Sequence, residues 1–375
     1  MKLIYLTSKT YPQTTNATAD HFFVLKMAQA FASFLRNDFL LVVQKENSAG
    51  IDENIPHYSF GLSIEKGKQL FYFFFLPIFT ICNKFFHSDT VFFTNDTRLL
   101  GVLFFWKKVL RFHYRVISDW HMLPGNSGEA RIMQNSDGLV TTTKHLKDII
   151  VDRFAVPFDK ILVAHGGVDL EIFESITESI DSLRKCLNLP ADAFLVGYVG
   201  FYKTMGMSKG LDTMIQSLAL IPDESVKMVF VGGRPKEIEE YEKMVKEKGV
   251  SERVIFVPVV STEVVALYEK AMDILVIPYP DQPHFREYGF PMKAYEYLAA
   301  KKPIIFSNLP IIEEVLGDCA IPFFPDDTKD LAKKIVEIKD FPERTKSLVD
   351  HADEKSKDCT WGARAEKIIT FAKKI

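Results

Sequence analysis

FLVGYVGFYKTMGMSKGLDTMIQSLALIPDESVKMVFVGG, residues 194–233, reads as strand, loop, helix and strand. FLVGYVG is a short unbroken apolar run, the pattern of a strand buried on both faces. From about Lys209 the period changes, and Leu211, Met214, Ile215 and Leu218 recur at helical spacing on one face. VKMVFVGG then returns to a strand ending in glycines. Two such strands joined through a helix are parallel neighbours in a sheet.

The same rhythm extends in both directions. C-terminally, VIFV, DILVIP, KPIIFS and AIPFF continue the strands, with helices starting near Ser261, Pro291, Pro310 and Asp327. Pro291 and Pro310 suit a first helical turn, where a missing N–H is no loss. N-terminally, KLIYLTS, DFLLVVQ, TVFFTN, RVISDW, GLVTTT and KILVA are short apolar or β-branched runs, with helices at 19–35 and 144–153 among them. Alternation of this kind predicts an α/β chain with parallel sheets and crossover helices. The polar stretch Glu174 to Leu183 separates two strand series, predicting Rossmann-like domains over 1–180 and 181–375. Ligands in such sheets bind beyond the carboxyl ends of the strands, so the chemistry belongs just after each strand.

Composition narrows the classes. With 47% hydrophobic and 25% charged residues the chain packs a core, and a net charge of -3 argues against nucleic acid as a partner. The four cysteines are dispersed and form no C-x-x-C pair, which points to a reducing cytoplasm with neither a zinc site nor a disulfide framework. The apolar start MKLIYL is too short for a signal peptide and reads as a first strand. No apolar run is long enough for a transmembrane helix. Phenylalanine is unusually frequent, at 32 residues, and concentrates between Leu70 and Arg115. The plain reading of that stretch is buried helices and a strand. The alternative is peripheral membrane contact through aromatic residues flanked by Lys107, Lys108, Arg111 and Arg115.

Two segments can carry chemistry. In 196–212 a strand runs out at Gly200, and Lys209-Gly210 opens a helix. Unpaired helix N-terminal amides and a lysine favour an anion there, although a solvated lysine in an ordinary turn has the same sequence. In 278–305, Lys293 falls in a first helical turn, against the helix dipole, and Glu296 lies one turn on. An anion beside Lys293 would account for that choice, and Glu296 could accept both hydroxyls of a ribose. An i,i+3 surface pair is the bland alternative.

Taken together, Lys209-Gly210-Leu211-Asp212 and the 291–305 segment resemble the donor site of the family 4 (group 1) glycosyltransferases. AHGGVDLEIF (164–173), NSDGLVTTTKHLKDII, VPVVSTEVVALYEKAMDILVIPY and Trp361 resemble further signatures of that family in the right order. The resemblance implies a GT-B fold, two Rossmann-like domains facing across a cleft, with the C-terminal helix crossing back to the first. It implies retaining transfer of a sugar from a UDP- or GDP-linked donor to a glycan or lipid-linked acceptor, as in cell-surface polysaccharide synthesis. It implies no metal and no cofactor, with the departing phosphate taking the acceptor's proton.

Residue by residue, Glu296 matches the second glutamate of the family's E-x7-E motif, which holds the ribose, and Lys209 its diphosphate lysine. Lys293 matches a second phosphate-binding lysine of a subgroup, Gly289 and Phe290 the backbone that approaches the sugar, and Gly200 the end of the first donor-domain strand. His121, in SDWHMLPG, matches a cleft histidine that contacts the donor. Three positions depart from the pattern. Tyr288 replaces the first glutamate, with Glu287 adjacent; Phe201 replaces an arginine, with Lys203 the candidate substitute; and Thr18-Ala19 replaces a glycine pair. These departures favour an alternative, a catalytically inactive GT-B partner subunit. A nucleotide-sugar epimerase is a further alternative, whereas the absence of G-x-G-x-x-G after the first strand argues against a nicotinamide dehydrogenase.

Overall fold

The structure, a computed structural model, describes residues 1–11, 19–45, 51–60, 68–123, 125, 128–288 and 292–375. The chain divides into two compact units, 1–165 with 361–375, and 166–360.

The first unit is built on a seven-stranded parallel sheet. Its strands are β1 (Lys2–Tyr11), β2 (Phe39–Lys45), β3 (His57–Phe60), β4 (Thr90–Thr94), β5 (Arg115–Trp120), β6 (Gly138–Thr141) and β7 (Ile161–Val163). The order is 3-2-1-4-5-6-7, so connections leave in opposite directions from β1 and β4. β1 pairs with both neighbours, Leu3 facing Phe39 and Val91, and its register with β2 shifts between Leu6 and Thr10. One face buries Ile4, Leu6, Phe92 and Val116 under the helices Lys68–Cys82 and Thr97–Val109. On the other, Tyr5, Phe31 and Phe93 meet edge to face. The plain reading of the phenylalanine-rich stretch thus accounts for its inward half. The edge strand β3 carries no long apolar run and was not legible in the sequence.

The second unit contains a six-stranded parallel sheet in the order 12-11-8-13-14-15. Its strands are β8 (Phe194–Val199), β11 (Val226–Gly233), β12 (Val254–Pro258), β13 (Ile274–Ile277), β14 (Ile304–Ser307) and β15 (Ile321–Phe323). Between β8 and the next helix the chain forms a small antiparallel hairpin, β9 (Lys203–Thr204) with β10 (Met207–Ser208), where the sequence suggested a plain loop. The helix itself is Leu211–Leu218, the span of its apolar periodicity, and starts two residues after Lys209. Gly210 caps it in the left-handed region, at φ 87°. Pro310 opens its helix as expected, whereas Pro291 lies outside the described residues, just before the helix Met292–Ala300.

The division between units falls before the polar stretch 174–183, not within it at 180. The reason is hydrogen bonding. Lys270 Nζ donates to the carbonyls of Phe173 and Ile176, each at 2.7 Å, and Arg184 donates to Ala271 O and Asp273. Residues 166–186 are therefore tied to the second sheet. Conversely the last helix, Trp361–Lys374, packs in the first unit, where Arg115 Nη1 donates to Ala372 O and Ile375 O at 2.8 and 2.6 Å.

Candidate active site

In the second sheet the topological switch lies between β8 and β13, so the turns leaving their carboxyl ends meet. The contact is close. A Cβ on Gly210 would sit 1.7 Å from the Pro278 carbonyl oxygen, and a Cβ on Gly200 (φ 129°) would sit 2.8 Å from Lys293 Nζ. Only glycine admits both the conformation and the approach. The loop is held by Ser208, whose hydroxyl donates to Asp212 at 2.8 Å and accepts from Gly210 N at 3.1 Å. Tyr202 is buried beneath it and donates to Phe230 O at 2.7 Å.

This juxtaposition brings Gly200, Lys209, Gly210, Lys293 and Glu296 into one neighbourhood. Lys293 is buried, and its ammonium has no hydrogen-bond partner among the described residues. The nitrogen lies 3.9 Å from the centre of the Tyr198 ring and 5.6 Å from that of Tyr279, a cation–π setting. Burial, then the charge on Lys209, push Lys293 well below the usual lysine range, while Glu296 and Glu269 pull the other way. Lys209, half-buried, is brought down to about 8 by burial and by Arg234, against the pull of Glu237. Glu296 is pushed up to about 7 by burial; Lys293 opposes the shift and Asp169 adds to it. A buried lysine weakened by the charge of a second and a carboxyl poised near neutrality describe a site short of counter-charge.

Lys203 is placed otherwise. It sits on β9 in an ion pair with Glu240. Gly289 and Phe290 lie outside the described residues, as does Thr18. Tyr288 ends a single π-turn, His284–Tyr288, whose His284 is pushed down by burial and by Lys209.

Two groups escaped the sequence reading. Arg234 follows β11 and holds its guanidinium 5.1 Å from the centre of the Phe201 ring. Nothing in local sequence connects 201 with 234. Glu269 is completely buried, and neither carboxylate oxygen has a hydrogen-bond partner among the described residues. Burial, then Glu296, push it well above the usual range. Its signal was available: a glutamate on the same face as Ala266, three residues earlier in an amphipathic helix.

His121 lies in the first unit, just past β5. Its Nε2 is 3.1 Å from Asp119 Oδ2, and its ring meets Phe23 edge to face at 4.3 Å. A carboxylate only accepts, so Nε2 is the donor to Asp119. Nearby, Asp20 pairs with Lys9 and accepts from Asn95 Nδ2 at 2.9 Å. These groups follow β1, β4 and β5, at the carboxyl side of the first sheet's own switch point. Among the described residues no group of His, Cys, Asp and Glu side chains is set to hold a metal ion.

The chain resembles known proteins in sequence and in fold. Residues 193–340 match the family model for glycosyl transferases group 1. A D-inositol 3-phosphate glycosyltransferase of Xylanimonas cellulosilytica is 30% identical over 198 residues, covering 51% of this chain and 45% of that one. The chain spans about half the length of the curated relatives it matches. Among solved structures, a glycosyltransferase from Rickettsia africae superposes with a TM-score of 0.79 at 13% identity, covering 99% of this chain and 98% of the other. HepE of Anabaena, solved with UDP, superposes with a TM-score of 0.73 at 16% identity over 100% of both chains. A further structure of HepE holds UDP-glucose. The fold is therefore GT-B, and the stretch that matches the group 1 glycosyl transferase model lies within the second unit.

Proposed function

We propose that the protein is a retaining glycosyltransferase that moves a sugar from a nucleotide-sugar, UDP- or GDP-linked, to a glycan or lipid-linked acceptor in cell-surface polysaccharide or glycoconjugate synthesis. The observation that carries this reading is the ammonium of Lys293, buried without a partner among the described residues and set against Gly200 with Lys209 beside it. A diphosphate fits those requirements: its oxygens supply the missing counter-charge, and Gly200 lets them approach. The two lysines then stabilise charge as the nucleoside diphosphate leaves, the task a metal ion performs elsewhere, so neither metal nor cofactor is needed. Arg234 supplies the third positive group, in place of the family's arginine and of Lys203. Glu296 accepts from the ribose hydroxyls, and Gly289 and Phe290 line the sugar. His121, held by Asp119, contacts the donor. The departing phosphate takes the acceptor's proton, so no side chain is assigned as general base. On this reading the enzyme works in the cytoplasm, at the inner face of the membrane when the acceptor is lipid-linked.

A thermal-shift screen against nucleotides and nucleotide-sugars tests the reading, with UDP first because HepE binds it. A ligand at about 100 times its dissociation constant stabilises by about 2.7 kcal/mol. No shift with any nucleoside diphosphate or nucleotide-sugar would remove the proposal.

Tyr288, in place of the family's first glutamate, favours a second reading, an inactive GT-B partner subunit. The pure protein then neither hydrolyses nor transfers the donor. An epimerase on the same fold would instead convert the donor with no acceptor present.

A further inference from the structure

The outward half of the phenylalanine-rich stretch has no role in the site described above. On the helix Lys68–Cys82, Leu70, Phe74, Ile78 and Ile81 are spaced by four, four and three residues and so form one stripe. All four are exposed, at 64, 57, 62 and 51%, while Tyr72, Leu76 and Phe79 on the opposite side are buried in the core. The stripe continues onto the neighbouring helix Thr97–Val109 and just past it, where Phe105, Val109 and Leu110 are exposed. Phe73 joins the two. Its ring is 4.9 Å from that of Phe105 and 5.1 Å from that of Trp106, and Trp106 Nε1 donates to its carbonyl at 2.6 Å. A contiguous apolar surface of this kind marks an interaction site.

Charge selects the occupant. Residues 69–88 and 97–118 contain no aspartate or glutamate. Both helices are crossovers of a parallel sheet, so both end at the amino edge of the strands. Exposed basic residues gather at those ends: Lys84 past the first helix, and Lys108 and Arg111 at the end of the second. The helix dipoles account for cations there but not for the apolar stripe beside them. A second copy docked through the same face would oppose like charges. An anionic surface with an apolar interior satisfies both features. Among the described residues no helix is long and apolar enough to cross a membrane, so the contact is peripheral.

We infer that the face formed by Leu70, Phe74, Ile78, Ile81, Phe105 and Val109, with Lys84, Lys108 and Arg111 at its edge, docks onto a bilayer carrying anionic lipid headgroups. This deepens the proposed function by naming where a membrane-borne acceptor would be met, yet it is read out without any transfer.

The test is co-sedimentation of the full chain with phosphatidylcholine vesicles, with and without phosphatidylglycerol, at low and high salt. Binding is expected to the anionic vesicles, weakening with salt. Lys84→Glu with Arg111→Glu removes the preference for anionic lipid. Phe74→Ser with Ile78→Ser lowers partitioning by about tenfold or more at either salt, because apolar burial holds the chain in the interface. All four side chains are exposed, and circular dichroism confirms that the variants fold. Nucleotide-induced thermal shifts stay unchanged in both, so failure of the docking face and failure of the transferase reading are told apart. No binding to either vesicle, undiminished binding by Phe74→Ser/Ile78→Ser, or a lipid-free dimer that this variant dissociates would overturn the inference.

Discussion

Arg364 donates through Nη2 to both carboxylate oxygens of Asp119, at 3.0 and 3.1 Å, and Asp119 in turn accepts from His121. Arg364 is itself buried, donates through Nη1 to His165 O at 3.0 Å, and holds its guanidinium 5.1 Å from the centre of the Phe23 ring that packs against His121. Trp361, one turn earlier, meets Phe23 at 5.4 Å. The helix that ends the chain thus supports the histidine that follows β5.

Arg364→Met is expected to cost about 3–5 kcal/mol, the usual loss when one partner of a buried ion pair is removed. Urea denaturation measures it. Burial pushes Asp119 up, but Arg364 and then His121 outweigh it and hold the carboxyl below its usual range. The sign of its pH dependence follows. The contribution of Asp119 is fully present above the unfolded carboxyl value of about 3.9 and is lost as pH falls through the lower folded value. In Arg364→Met that acid-labile component shrinks. An unchanged acid-unfolding profile would count against the network.

Lys293→Met should make the protein more stable and unable to bind nucleotide. The unfolded lysine holds its proton up to about 10.4, whereas the folded one releases it earlier because it is buried. Between those values the unfolded state binds more protons, so the wild type is penalised at neutral pH and the penalty disappears above about 10.4. Removing an unpartnered buried polar group gains about 1–3 kcal/mol, or about 2–4 °C in Tm per kcal/mol for a domain of this size. The gain should be present at neutral pH and shrink as pH rises towards about 10.4, while the nucleotide-induced shift is lost throughout. A variant less stable than the wild type at neutral pH would show that Lys293 is structurally satisfied.

Much of this was legible beforehand, for a definite reason. β8 and β13 are buried on both faces, so each reads as an unbroken apolar run, and β11 does so but for Lys227. Lys293 could be singled out because a lysine in a first helical turn opposes the dipole. What stayed hidden depends on distant pairs. Arg234 over Phe201 and Arg364 on Asp119 join positions that no local pattern links. The unit boundary was misplaced for a related reason: a polar stretch looks like a linker until Lys270 is seen binding its carbonyls.

The two close-packed glycines should fail differently. Alanine at Gly210 would meet the Pro278 backbone oxygen, which cannot move alone, in a left-handed conformation that itself costs about 1–2 kcal/mol. The loss should appear as global destabilisation in a thermal melt. Alanine at Gly200 meets Lys293 Nζ, the far end of a flexible side chain. There the main loss should be nucleotide affinity, measured by calorimetry, with a smaller change in Tm that reflects the strained φ. Equal loss of stability in both variants would contradict the assignment of Gly200 to the site.

The pH dependence of donor binding should be bell-shaped, with an acid limb from Glu296 at about 7 and an alkaline limb shared by Lys209, at about 8, and Lys293. A nucleotide-sugar is the ligand to use, because its diphosphate is a diester, whereas a free terminal phosphate titrates near about 6. On the alkaline side, a bound diphosphate favours the ammonium forms of Lys209 and Lys293. Binding then takes up protons, and affinity falls by up to about tenfold per pH unit for each lysine. On the acid side, ribose hydroxyls favour the carboxylate of Glu296 over its neutral form, so binding releases a proton and affinity falls below about 7. Lys209→Met should flatten part of the alkaline limb, leaving the share due to Lys293, and Glu296→Gln should flatten the acid one. Lys209→Ala and Glu296→Ala should each cut turnover about 100-fold or more, as loss of a charge-stabilising or positioning group does, with folding unaffected by circular dichroism. Limbs unchanged in both titrating variants would place the nucleotide elsewhere.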